Sequence, residues 1–148
     1  MNAINEWTQG EYIISTDRNR LDIDVVHGFL TESYWARRRT RDRVAQSIDH
    51  SLSFGLYHGD AQVGFARVVT DYVVLAFLAD VFVLEAHRGK GLGRWLVDVV
   101  TNLPELRPMR RWLLGTRDAH DLYRQFGFGE PRPNVLMERV DADSDRRG

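Results

Sequence analysis

From Val73 to Leu84 the chain is almost continuously apolar and rich in β-branched residues, with Asp80 its one charged residue. A run of that kind reads as a strand buried on both faces, which needs a covering layer on each side of a sheet. It leads into Arg88-Gly89-Lys90-Gly91-Leu92-Gly93-Arg94 and then into an amphipathic helix from Leu92 to about Leu103, which Pro104 helps to end. A buried central strand, a glycine-rich turn and a helix in direct succession narrow the chain to α/β architectures.

The flanking sequence fits that frame. Tyr12 to Ser15 reads as a short first strand. Ile23, Val26, Phe29 and Leu30 recur at helical spacing, with Asp22 as N-cap and Leu21 against Val26 as a hydrophobic staple. Thr40 caps a second helix carrying Val44 and Ile48. Ser53 to Tyr57 and Gln62 to Thr70 are strands, and Gly59-Asp60 between them marks a hairpin. Trp112 to Leu114 is a further strand, Asp118 to Phe126 a helix closed by Gly127, and Val135-Leu136-Met137 a last strand. Asp141 to Gly148 reads as a frayed polar tail. The order predicts one three-layer α/β domain over residues 1–148, its core about 10–140, built on a mixed, mostly antiparallel sheet.

Composition removes several classes of function. The 148 residues carry a net charge of −1, which gives no general attraction to nucleic acid or to an anionic membrane. No apolar run approaches the roughly 20 residues that span a bilayer. The segment from Met1 to Trp7 lacks the basic-then-apolar order of a secretory signal, so a cytoplasmic location is expected. With no cysteine there is no disulfide, no thiolate zinc site and no cysteine nucleophile. His27, His50, His58, His87 and His120 show no metal-ligand spacing, and no metal is expected.

The glycine turn is where chemistry concentrates. Amides at a helix N-terminus have no internal partner and sit at the positive end of the dipole. Glycines admit a ligand close to them, and Arg88, Lys90 and Arg94 add positive charge, so the turn suits a pyrophosphate. A P-loop would need Ser or Thr after Lys90, where Gly91 stands; a dinucleotide fingerprint would need glycine at the position of Arg94. The remaining pattern, Arg-x-x-Gly-x-Gly, resembles that of the GCN5-related N-acetyltransferase (GNAT) superfamily. Leu122-Tyr123-Arg124-Gln125-Phe126-Gly127-Phe128 is similar to its closing motif, and Leu78 to Leu84 to its fourth strand.

That resemblance implies a sheet splayed between its fourth and fifth strands and an activity: transfer of an acetyl group from acetyl-CoA to a primary amine. Arg88, Gly89, Lys90, Gly91, Leu92, Gly93 and Arg94 would wrap the pyrophosphate. Val81, Phe82 and Val83 would pair with pantetheine. Thr116 stands where the superfamily often has a pantetheine-binding asparagine, and Tyr123 would protonate the departing thiolate. Some members carry the base one position earlier, where this chain has Ala79. Asp80, a carboxylate inside an otherwise apolar strand where an unpaired charge is costly, is the candidate to take the amine proton. Its alternative is a hydrogen-bonded structural carboxylate. In the superfamily the loop holding Tyr34 and Trp35 shapes the acceptor pocket.

Elementary chemistry agrees with direct attack by the amine in a ternary complex. A thiol with a reference pKa near 8.5 needs modest help to leave. Removing the proton of an alkyl amine at pH 7 costs roughly 4–5 kcal/mol. Ser53 lacks the Gly-x-Ser-x-Gly surround of an esterase, since Ser51 holds the first glycine's place. The arginines from Arg37 to Arg43 read as a solvated face, with recognition of an acidic acceptor as the sharper alternative. The competing function is a non-catalytic acyl-CoA-binding sensor or regulatory module, which would not need Tyr123. The acceptor, a small-molecule or peptide amine, and the choice between monomer and homodimer stay open.

Overall fold

The computed structural model describes residues 3–144. Six strands form one sheet in the order β1-β2-β3-β4-β5-β6. β1 (Glu6–Gln9), β2 (Tyr12–Ser15), β3 (Leu52–His58), β4 (Ala61–Thr70) and β5 (Leu75–Val83) are successively antiparallel, whereas β6 (Arg111–Leu114) runs parallel to β5. The parallel step needs a crossover, and α3 (Leu92–Thr101) supplies it.

Both faces of the sheet carry helices, but β5 is not buried on both faces as its apolar run predicts: Leu75 and Phe77 are 39% and 41% exposed on the side of β5 that borders a cavity. α1 (Ile23–Leu30) and α2 (Arg41–Asp49) bury Val26, Leu30, Val44 and Ile48 against Phe65 and Phe82. On the other face Leu96, Val97 and Val100 of α3 pack with Ile14, Phe54, Leu56, Val68 and Leu78, and α4 (His120–Arg124) adds Tyr123. The three layers predicted from sequence are present. So are two predicted caps: Asp22 accepts from the amides of Asp24 and Val25, and Thr40 from that of Arg43.

Four boundaries differ from the sequence reading. β1 was not predicted; it holds one large apolar residue, Trp7, among Glu6, Thr8 and Gln9, too little to signal a strand. β5 begins at Leu75 because the Asp71 carboxylate accepts from the amides of Val73, Val74 and Leu75 and holds a turn there. α4 is short: Gln125, Phe126 and Gly127 bond three residues back and tighten its end. Val135 to Met137 forms no strand. Asn134 takes a positive φ of 63° just before it, Pro131 and Pro133 lack donors, and Met137 is 97% exposed. Of the polar tail, residues 145–148 lie outside the described residues.

Candidate active site

β5 and β6 stay paired only from Leu75 opposite Arg111 to Leu78 opposite Leu114. β6 then ends at Leu114, while β5 continues to Val83. The β6-facing backbone edge of Val81, Phe82 and Val83 therefore has no strand beside it. This is the splay expected between the fourth and fifth strands, which become β5 and β6 once β1 is counted.

The opening is a cavity of about 630 Å³, lined by β5 from Phe77 to Val81, by residues 114–119 after β6, by Tyr34 and Trp35, and by Arg39, Arg67 and Tyr123. A second cavity of about 330 Å³ lies against β6, α4 and Phe128. Tyr123 and Thr116 belong to both linings. The Thr116 hydroxyl accepts from the Ala119 amide at 3.1 Å and steadies the approach to α4.

The glycine turn follows from the end of β5. Arg88 reaches back, its Nε donating to the Val83 carbonyl at 2.9 Å. Gly89 and Gly91 take φ of +79° and +76°, and a Cβ at either would meet no atom within 4 Å. Glycine is there for backbone conformation and open approach, not for packing. The helical ladder begins when the Trp95 amide donates to the Gly91 carbonyl at 3.0 Å. The amides before it, residues 89–94, make no hydrogen bond to any described residue, and Gly91 caps α3 without a side-chain bond. Lys90 Nζ donates to the Tyr12 hydroxyl at 3.2 Å, which lies 2.9 Å from His87 Nδ1.

Tyr123 is 9% exposed, its ring edge-to-face with Phe128 at 5.9 Å. Burial pushes its phenol up to about 12, with Tyr34 and Asp118 adding in the same direction. Its hydroxyl bonds to no described residue, so it does not cap a carbonyl.

Asp80 occupies a bulge. The pairing of β4 with β5 shifts by one residue between Phe65 and Arg67, and Asp80 takes a left-handed φ of 54°. That conformation is uncommon outside glycine, asparagine and aspartate, and it delivers the carboxylate to the cavity lining. Three donors meet it there: Trp35 Nε1 on Oδ1 at 2.8 Å, and Arg39 Nη1 and Arg67 Nε on Oδ2 at 2.9 Å each.

The structure thus brings Asp80, Val81, Thr116 and Tyr123 to one cavity, with the strand-free edge of Phe82 and Val83 continuing toward residues 88–94. Arg39 turns inward from a stretch in which Arg37 and Arg38 are exposed and Arg41 pairs with Asp24 at 2.7 Å. Arg67 escaped the sequence reading. Its signal was a cation in an apolar strand one register step from the carboxylate in the next strand. Ser53 is buried with its hydroxyl unpartnered. Among the described residues, no group of three or more His, Asp or Glu is placed to hold a metal ion, and no helix is long and apolar enough to cross a membrane.

Comparison with known proteins gives a consistent result. The model of the acetyltransferase (GNAT) family matches residues 3–128. A candidate acetyltransferase of Gibberella zeae is 30% identical over 138 residues, covering 79% of this chain and 78% of that one. A crystal structure of a candidate GNAT-family acetyltransferase from Xanthomonas campestris pv. campestris is 45% identical, with a TM-score of 0.85, over 88% of this chain and 93% of that one. A candidate acetyltransferase from Clostridium acetobutylicum, solved with acetyl-CoA, shares the fold at 11% identity and a TM-score of 0.61, over 86% of this chain and 94% of that one.

Proposed function

This chain belongs to the GNAT family of acetyltransferases, and we propose that it moves an acetyl group from acetyl-CoA directly to a primary amine in a ternary complex. The observation that carries the reading is the run of amides from residue 89 to 94, unbonded at the head of α3 and flanked by Arg88, Lys90 and Arg94. Free amides, the helix dipole and three cationic side chains fit a pyrophosphate in charge and donor number. The edge of β5 from Val81 to Val83 has no strand beside it and offers backbone groups, apart from the Val83 carbonyl that Arg88 holds, to an extended amide-bearing chain such as pantetheine.

The amine attacks the thioester carbonyl carbon; a C–N bond forms, the C–S bond breaks, and the amine sheds a proton. Tyr123 faces the sulfur and donates a hydrogen bond as negative charge gathers there. Full transfer from a phenol at about 12 to a thiolate near 8.5 is uphill by roughly 5 kcal/mol. The proton is therefore shared during bond breaking, and complete protonation of the thiolate draws on water. Asp80, with both oxygens occupied by cationic and indole donors, holds the cavity wall in shape; the amine proton leaves through cavity water.

Isotope transfer from labelled acetyl-CoA to a panel of amines tests the proposal. Labelled amide product supports it. Tight CoA binding with no transfer to any amine would favour the sensor reading instead.

A further inference from the structure

We propose that the acceptor carries a carboxylate as well as its amine, an amino acid rather than a simple amine or polyamine, and that Arg39 and Arg67 bind that carboxylate. The inference rests on the acetyl-transfer reading and deepens it.

The charge balance of the cavity points there. Asp80 is 3% exposed in its side chain and both its oxygens are engaged: Trp35 donates to Oδ1, and both guanidiniums share Oδ2. Two positive charges around one negative leave an excess of +1 at the cavity wall. Arg39 and Arg67 are only 20% and 12% exposed in their side chains, so this excess is weakly hydrated. Arg67 also donates from Nη1 to Ser51 Oγ at 3.0 Å, whereas Arg39 makes no other hydrogen bond within the described residues. A guanidinium carries five donors in a planar fork suited to a carboxylate, so donors remain on both arginines.

The other carboxylate of the lining lies elsewhere, next in sequence to Arg117, whose guanidinium is stacked 3.9 Å over the Tyr34 ring. Asp118 is exposed, forms no ion pair within the described residues, and is near enough to raise the Tyr123 phenol. A molecule with a carboxylate at one end and an amine at the other matches both ends: the anion against Arg39 and Arg67, the amine beside Asp118 and Tyr123. A polyamine would bring a second cation to the arginine pair, and like charges close together in a partly dry site are costly. The cavity, about 630 Å³, is of small-molecule size.

The test is calorimetry on CoA-loaded protein with free L-amino acids, the matching amino-acid amides and the matching decarboxylated amines, with label transfer followed in parallel samples given acetyl-CoA. The expected result is an amino acid that binds about tenfold or more tighter than its amide or amine. Arg39→Gln should erase that preference by raising Kd or KM for the acid about tenfold or more beyond any change for the matching amide or amine. Arg39→Lys should restore part of it, and Arg37→Gln, on the exposed side, should leave it intact. Equal binding of acid, amide and amine, or an equal loss for all three in a folded Arg39→Gln protein, would overturn the inference. Selective binding of acids without label transfer would support this assignment while removing the acetyl-transfer reading.

Discussion

Trp35 Nε1 and Asp80 Oδ1 meet at 2.8 Å, joining the loop after α1 to the bulge in β5 across 45 residues of sequence. The bond engages the second oxygen of a carboxylate already held by two guanidiniums, and it fixes where the loop stands over the cavity.

Asp80→Asn should therefore act first on stability. Removing one member of a buried ion cluster leaves the other charges uncompensated, a loss of about 3–5 kcal/mol. Trp35→Phe removes one hydrogen bond to a charged group and should cost roughly 1.5–3 kcal/mol. Denaturant melts measure both. Turnover of the folded Asp80→Asn protein should fall by the same factor at pH 7 and pH 9. A larger loss at pH 7, where the amine most needs help losing its proton, would return Asp80 to the role of base.

Gly91→Val should weaken CoA binding by several kcal/mol, because a branched side chain would stand among the free amides and each lost charged hydrogen bond costs roughly 1.5–3 kcal/mol. Nothing in the protein itself would clash with the new Cβ, so the strain is confined to the left-handed φ of +76°. Melts should show only a modest destabilisation. Calorimetry giving wild-type CoA affinity in the folded variant would remove the turn from the binding site.

How much of this was legible in the sequence depended on whether the signal was local. The glycine turn, the Asp22 and Thr40 caps and the helix α3 were readable because each is set by neighbours a few residues apart. β1 was not, since its stability comes from pairing with β2 and from Trp7 packing near Phe54 at 6.3 Å between ring centroids. Val135 to Met137 looked like a strand by composition, but Asn134 and the two prolines turn the backbone first. In the candidate site, Asp80 stood out as a lone charge in an apolar strand. Its partners Arg39 and Arg67 lie 41 and 13 residues away, and only the register of β4 on β5 with the folded loop brings them together.

Alkaline pH should destabilise the fold through Tyr57. Its hydroxyl is buried without a hydrogen-bond partner, and burial pushes the phenol from 10.0 up to about 12. Below pH 10 the folded and unfolded states are both protonated and the group adds no pH dependence. Between pH 10 and 12 the unfolded chain gives up the proton and the folded protein keeps it, so stability falls as pH rises, by up to roughly 2–3 kcal/mol. Tyr57→Phe should remove its share of that slope, leaving the share of Tyr123, which is raised in the same way, and should cost little at pH 8, since no bond is lost. Melts at pH 8, 10 and 11 giving the same slope in both proteins would refute the assignment.

Tyr123→Phe isolates the chemistry most directly. The change removes one hydroxyl that bonds to no described residue, so the packing of the ring against Phe128 and the short α4 should survive. Melting temperature should stay near wild type, and at neutral pH the phenol's loss changes no charge, because at about 12 it is protonated throughout the working range. CoA affinity should also hold. The rate of acetyl transfer should fall by roughly 10²-fold, the low end for proton-donor catalysis, because the thiolate is already a tolerable leaving group and the raised phenol shares its proton rather than surrendering it. The loss should appear in kcat more than in KM, since the hydrogen bond strengthens only as charge develops on sulfur. It should shrink with an acyl donor whose thiol is more acidic and leaves unaided. A structural role would give the reverse pattern: a lower melting temperature of about 1 kcal/mol equivalent with turnover intact. Wild-type kcat in a folded Tyr123→Phe protein would take Tyr123 out of the reaction.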